Sequence, residues 1–398
     1  MAKKMNTIEK LIAELCPEGV EYCKLKEVTL HTANIKWSDV DGEEFRYIDL
    51  TSVDRITHTI TETQAITNEN APSRAKQIVR EGDVIFGTTR PMLKRYTLIP
   101  AEYDGNICST GYCVLRPNKD RVLPNFIFHL LGIESFYTHV EANERGASYP
   151  AITDSAVKAF LIPIPPLAIQ QEIVKILDTF TTLEAELEAE LKARKKQYEY
   201  FRDELLTFGE DVEWKTLGEV ATNLDSKRKP VTKSIRQAGE FPYYGASGIV
   251  DYVGDYIFDG DYLLVSEDGA NLLARVTPIA FSASGKIWVN NHAHVLEFET
   301  YVERKFVEYY LNMIDLSRFI STAAQPKLTQ DNLNKIPVPS PPLTEQQRIV
   351  AILDRFDALV NDISVGLPAE LRARRKQYEY YRNKLLTFKP LEEDHAKQ

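Results

Sequence analysis

The chain has 398 residues, 43% of them hydrophobic, with ordinary glycine and proline usage, so it has material for two or more cores and is not composed like a disordered protein. The opening MAKKMNTIEKLIAELC has no continuous apolar stretch behind its lysines, and no run approaches a membrane span; neither a secretory leader nor membrane insertion is expected. A net charge of −10 argues against uniform nucleic-acid binding, but phosphate contacts are local, and residues 192–202 and 372–382 each carry five basic side chains and one acidic.

In chain order, residues 1–165 read as strand-rich: EGDVIFGTT (81–89) and GNICSTGYCVLRP (105–117) are short runs next to turn signals. Residues 166–208 read as one long helix. Residues 209–341 are strand-rich again, with DGDYLLVSEDGAN (259–271) and GKIWVNNHAHVLEF (285–298) in the matching places. Residues 342–388 read as a second long helix, and 389–398 as a polar tail. The four cysteines, Cys16, Cys23, Cys108 and Cys113, lack common zinc-ligand spacing. They read as buried, reduced thiols of a cytoplasmic protein, with a zinc site as the alternative.

The two helices are written almost identically. IPIPPLAIQQEIVKILDTF (162–180) answers VPSPPLTEQQRIVAILDRF (338–356), and RKKQYEYFRDELLTF (194–208) answers RRKQYEYYRNKLLTF (374–388). In the first helix Ile173, Leu177, Phe180, Glu184, Leu187, Leu191, Arg194, Tyr198, Phe201, Leu205 and Phe208 alternate by four and three, a heptad seam. The second repeats it with one extra four-residue step between Leu367 and Leu371, a stutter that keeps the seam on one face, and Gly366 with Pro368 predicts a break there. At about 1.5 Å per residue each helix would reach roughly 60 Å. The simplest packing sets the two seams antiparallel on each other, related by a pseudo-two-fold axis; the alternative is two amphipathic helices in separate cores. Arg194 and Arg374 fall on the seam and are expected to pair with glutamates there or to reach past the core. Echoes also precede the helices: VEYCKLKEV (20–28) with VEWKTLGEV (212–220), and SYPAIT (148–153) with AQPKLT (324–329).

A repeated helix alternating with divergent globular regions resembles the specificity subunit of type I restriction–modification systems. The resemblance rests on PPLAIQQEIVKILDTF and PPLTEQQRIVAILDRF with their basic aromatic continuations, on CPEGVEYCKL, and on SYPAIT and QPKLT, and it covers essentially the whole chain. It implies an α+β fold with two strand-rich target-recognition domains separated by two long antiparallel helices in a coiled coil. It further implies double-stranded DNA as a partner, read as a bipartite asymmetric site. Two modification subunits would methylate adenine, and restriction subunits would complete an ATP-dependent endonuclease. No cofactor is expected on this chain; S-adenosylmethionine, ATP and Mg would belong to the partner subunits.

The chain itself offers little chemistry. There is no [NDS]PP[YF] motif, no FxGxG loop and no GxxxxGK[ST] loop, so no catalytic residue is expected. His292 and His294 in NHAH read as structural, with a metal role as the alternative, and no metal site is expected. DNA contacts should be basic, amide-bearing or aromatic loop residues. The candidates are Arg90, Lys94, Arg95, Arg145, Ser148 and Tyr149 in the first region. In the second they are Lys227, Arg228, Lys229, Tyr243, Tyr244, Gln325 and Lys327. For docking of partner subunits, identical sequence in both helices points to Lys195, Lys196 and Tyr200, and to Arg375, Lys376 and Tyr380, with DNA phosphate contact as the alternative for the basic residues. Two competing functions fit less well: a coiled-coil scaffold without DNA reading, and a self-contained methyltransferase.

Overall fold

The computed structural model describes residues 7–321 and 325–391, so the tail expected at 389–398 lies outside the described residues from 392 onward. The chain divides into two compact units, one of residues 1–189 with 370–398 and one of residues 190–369. The division runs across the long helices. Each recognition region keeps the stretch of helix on which it is built.

The first unit begins with α1 (Thr7–Leu15), β1 (Tyr22–Lys24), β2 (Thr29–Leu30), β3 (Phe45–Ile48), β4 (Gln64–Ile66), β5 (Ala75–Ile78), β6 (Val84–Gly87), β7 (Tyr96–Leu98), β8 (Ile107–Ser109) and β9 (Tyr112–Pro117). There follow α2 (Pro124–Leu130), α3 (Glu134–Asn143), α4 (Asp154–Lys158), β10 (Leu161–Pro163) and the 40-residue α5 (Leu167–Leu206). Two four-stranded sheets, ordered β4-β3-β8-β5 and β2-β9-β6-β7, carry the recognition region, with β3 and β8 parallel. β6 is buried at all four positions, which is why it reads as the continuous apolar run VIFG.

The second unit contains β11 (Trp214–Thr216), α6 (Leu217–Val220), β12 (Thr222–Asn223), β13 (Ala238–Gly245), β14 (Gly248–Val253), β15 (Phe258–Ser266), α7 (Asn271–Ala274), β16 (Ala280–Val289) and β17 (Ala293–Glu297). α8 (Tyr301–Met313), α9 (Gln330–Asn334), β18 (Pro337–Pro339) and α10 (Leu343–Val360) complete it, before α11 (Leu367–Leu385). Its six strands run β12-β17-β15-β16-β13-β14, with β13 and β16 parallel. The second long helix is therefore two helices, interrupted between Val360 and Leu367, with Pro368 in the first turn of α11 where its missing N–H costs nothing.

The seam packs as the heptads require outside the interruption, where the seam position Ile363 is instead 67% exposed. In the first unit Ile173 and Leu177 are fully buried, Phe180 stacks on Tyr381 at 5.6 Å, and Glu184 meets Arg375, so numbers rise along α5 as they fall along α11. In the second, Tyr198 and Phe201 both face Phe356 of α10. The seam arginines pair one turn back, Arg194 with Glu190 at 2.7 Å and Arg374 with Glu370 at 3.3 Å.

The other repeated residues fasten each recognition region to its helix. The echoing segments become matched two-stranded ribbons, β1 with β10 and β11 with β18. Gln170, fully buried, donates from Nε2 to the carbonyls of Pro165 and Arg121 and accepts from the Leu123 N–H; Gln346 donates likewise to Pro341. The aspartate of ILD then reaches the recognition region. Asp178 accepts at 2.8 Å from His129 Nε2, and burial lowers the pKa of this ring despite Asp178 beside it, so that its Nδ1 accepts from the Tyr378 hydroxyl. Asp354 accepts from Tyr309 and Tyr301 at 2.6 and 2.8 Å. Leaving such groups unpaired costs about 1–3 kcal/mol each. Gln170→Ala should therefore lower stability in urea denaturation by about 2 kcal/mol or more, and Gln346→Ala by less. Equal, negligible losses would contradict this division of roles.

Candidate nucleic-acid interface

In both units the strand that ends in the candidate loop is stitched to the segment before the next helix. In the first, the Ile152 N–H donates to the Thr88 carbonyl and the Arg90 N–H to the Pro150 carbonyl. In the second, the Leu328 N–H donates to the Glu267 carbonyl and the Gly269 N–H to the Pro326 carbonyl. Each segment ends in a threonine that caps the following short helix, Thr153 for α4 and Thr329 for α9, accepting from the N–H three residues on. SYPAIT and AQPKLT thus do the same backbone work, although Ala324 lies outside the described residues.

The first junction gathers four of the six candidates there. Arg90, in the left-handed region at φ 49°, carries its guanidinium 4.5 Å from the Tyr149 ring centroid, and Tyr149 is 71% exposed. Arg145 bridges to Ala151, and Arg145 and Ser148 are exposed beside them. Lys94 is exposed but turned to cover Tyr137 at 4.5 Å. Arg95 is half-buried with its Nε enclosed and without a hydrogen-bond partner.

The second junction rests on a charged network that the residue pattern did not announce. Asp225, Glu267 and His294 bring possible ligand atoms within 4.8 Å of one another, yet cations already fill the space. Arg228 bonds Glu267 at 2.6 Å and Asp225 at 3.2 Å, and Lys327 reaches Glu267 at 3.0 Å. His294 donates to the Leu328 carbonyl from Nε2 and bonds Asp225 from Nδ1, leaving no ring lone pair for a metal. Burial opposes ionisation of Asp225, but the bonds from His294 and the Val295 N–H with the Arg228 charge hold its carboxyl below the usual range. His292 bonds Asp268 at 2.8 Å. The four cysteines are free thiols and none belongs to this group.

Several candidates are corrected by these contacts. Arg228, its side chain 12% exposed, is an internal strut because two acids and the Ala293 carbonyl use its fork. Tyr243 is 1% exposed, with its hydroxyl accepting from Val231, and is a core residue. Tyr244 is half-buried and stacks on Phe281. Lys327 is exposed but ion-paired. Lys227, Lys229 and Gln325 remain exposed, and neither lysine has an ion pair among the described residues. On the helices, Lys195, Lys196 and Lys376 are exposed, as are Tyr200 at 64% and Tyr380 at 60%. Arg375 differs: it crosses the seam to Glu184 and Glu188, since a long guanidinium is not confined to the face its Cα occupies. The sequence reading also missed an apolar edge, with Ile249, Val250 and Tyr252 of β14 about half exposed; its short alternation was visible but unassigned.

The description "Type I restriction modification DNA specificity domain" matches this chain twice, over residues 17–194 and 209–373. The chain belongs to that specificity family. A putative type I restriction enzyme specificity subunit of Haemophilus influenzae is 42% identical over 187 residues, 46% of this chain and 48% of the relative. The EcoR124I/EcoR124II specificity subunit of Escherichia coli is 38% identical over 271 residues, 60% of this chain and 65% of the relative. The chain thus matches about half to two thirds of the length of these relatives. A solved chain described under complex assembly of the type I R-M system aligns over 92% of this chain and 97% of its own, with TM-score 0.61 and 26% identity. The S subunit of M. genitalium shares the fold at TM-score 0.58 and 16% identity, over 92% of this chain and 96% of its own. The two family matches coincide with the repeated architecture, one recognition region and one helix root each.

Removing one member of a buried ionic network strands the others, at about 3–5 kcal/mol. His294→Ala should destabilise the protein to urea by that order, whereas exposed Lys227→Ala should shift it by less than about 0.5 kcal/mol. A neutral His294→Ala would remove the network from the account.

Proposed function

We propose that this chain is the DNA-specificity subunit of a type I restriction–modification complex. Its two recognition regions each read one half of a bipartite, asymmetric duplex site. The helices dock two modification subunits that methylate adenine, and restriction subunits complete an ATP-dependent endonuclease. Catalysis, S-adenosylmethionine, ATP and Mg belong to those partners, and the complex works in the cytoplasm. Among the described residues no helix is long and apolar enough to cross a membrane.

The observation that carries the reading is the pairing of sameness with difference. The same backbone junction recurs in both units, but its exposed side chains are Arg90, Arg145, Ser148 and Tyr149 in one, and Lys227, Lys229, Gln325 and the paired Lys327 in the other. Like scaffolding with unlike tips suits two different half-sites. The helices instead expose the same pair twice, Lys196 with Tyr200 and Lys376 with Tyr380, which suits two copies of one partner. Phosphate contacts release counterions, so duplex affinity should fall steeply with salt. Arg145→Ala and Lys229→Ala should each lower the slope of log affinity against log salt by about 1. Salt-independent binding, or slopes unchanged in both variants, would count against DNA reading at these loops.

EAELEAEL (184–191) sits on the shared helix as a tandem tetrapeptide, and Arg375 holds the first glutamate of each unit, Glu184 and Glu188. One more unit adds about 6 Å and roughly 40° of phase, and presents Arg375 with another glutamate pair of the same spacing. Insertion or deletion of one EAEL unit should change the spacer between half-sites and leave the half-sites alone. Methylome maps with an unchanged spacer would contradict the ruler.

A further inference from the structure

A cavity of about 830 Å³ opens within the first unit, among the 55–60 loop, β7, α2 and the facing stretches of α5 and α11. Three polar groups on its wall are buried without a hydrogen-bond partner: His58 Nδ1, the Tyr137 hydroxyl and Arg382 Nε. Tyr137 is only 6% exposed, and native proteins rarely leave such groups unsatisfied unless something else occupies the site.

The charge balance gives the sign of that occupant. Of the acids on the wall, Glu184 and Glu188 are held by Arg375, Asp178 accepts from His129 and Asn125, and Glu102 and Glu379 are exposed. Arg382 makes no ion pair among the described residues. It lies over the Tyr378 ring, 4.9 Å from the centroid, and is hydrogen-bonded to that hydroxyl. Its counterpart in the first helix, Arg202, pairs with Asp203 at 2.7 Å; the residue after Arg382 is Asn383, which carries no charge. Gly132 makes room for the guanidinium, since a Cβ there would collide with Arg382 Nη1 and the Tyr96 hydroxyl. His58, stacked on Tyr96 at 3.9 Å, is kept neutral by burial and by Arg382, its pKa pushed down to about 4. The acid that acts on this buried guanidinium is the exposed Glu379, without an ion pair between them; an anion in the cavity would pair with it directly and take the open Tyr137 and Arg382 donors.

We propose that this cavity binds a small-molecule anion through one phosphate or carboxylate group, with Arg382 as its counter-charge and the Tyr137 hydroxyl as its hydrogen-bond donor, while neutral His58 lines the site. Of the DNA candidates, Lys94 lines the cavity over Tyr137, and the proposal does not depend on whether Lys94 or the others contact DNA. The test titrates the full chain with inorganic phosphate and, separately, with citrate. Binding is followed by calorimetry and by the ring signal of His58 in histidine-labelled protein. At least one anion should bind saturably near or below about 1 mM, with a shift of the His58 signal. Phosphate alone, or citrate alone, identifies which group the site prefers. Tyr137→Phe, which removes only the unpaired hydroxyl and should keep the melting temperature, should weaken binding several-fold, and Arg382→Gln at least tenfold. No saturable binding of either anion, or equal binding by wild type and folded Tyr137→Phe and Arg382→Gln, would overturn the proposal.

Discussion

The structure depends on one constraint: a globular region must be fixed in direction on a helix whose seam is apolar. Apolar contact is non-directional, so the seam alone could hold a recognition region without aiming it. Direction comes from the buried polar bonds at each helix root. Gln170 and Gln346 fold back on the PP segment, and Asp178 and Asp354 reach out to the recognition region. These residues are identical in the two copies because they do identical work. The partners of the aspartates differ, His129 with Asn125 in one unit and Tyr301 with Tyr309 in the other, because the recognition regions they meet differ in sheet order and sequence.

That division of labour accounts for the pattern of repetition. Seam, root and threonine-capped junction recur; sheet order and loop tips do not. A unit built this way tolerates replacement of its tips, since the junction is made by backbone groups that any side chain supplies. The charged network around Asp225 belongs to one unit alone, and fixes Lys327 and the Arg228 stem so that neighbouring Lys227 and Lys229 project from a rigid base.

The helices were legible because a 4,3 spacing over five heptads has few other interpretations, and the break near Pro368 because Gly and Pro act locally. Sheet topology was not, since the parallel pairings of β3 with β8 and β13 with β16 join residues 60 and 45 positions apart, and nothing in either strand names its partner. The same distance misled the reading of single residues. Arg228 and Lys229 are neighbours in one basic run, yet Glu267 and Asp225 claim the first and leave the second exposed. Tyr243 and Arg375 went the same way, one to the core and one across the seam. The cavity beside Arg382 had a faint signal, the change from Asp203 to Asn383 between otherwise matching segments, but its meaning needed the third dimension.

The most direct test of the account is methylome sequencing of DNA from cells co-expressing this chain with its modification partner. It predicts one bipartite, asymmetric, adenine-methylated motif, and exchange of the first recognition region for that of a relative should alter one half of the motif only. A soluble, co-purifying complex that leaves DNA unmethylated, or a motif that changes in both halves after the exchange, would contradict it.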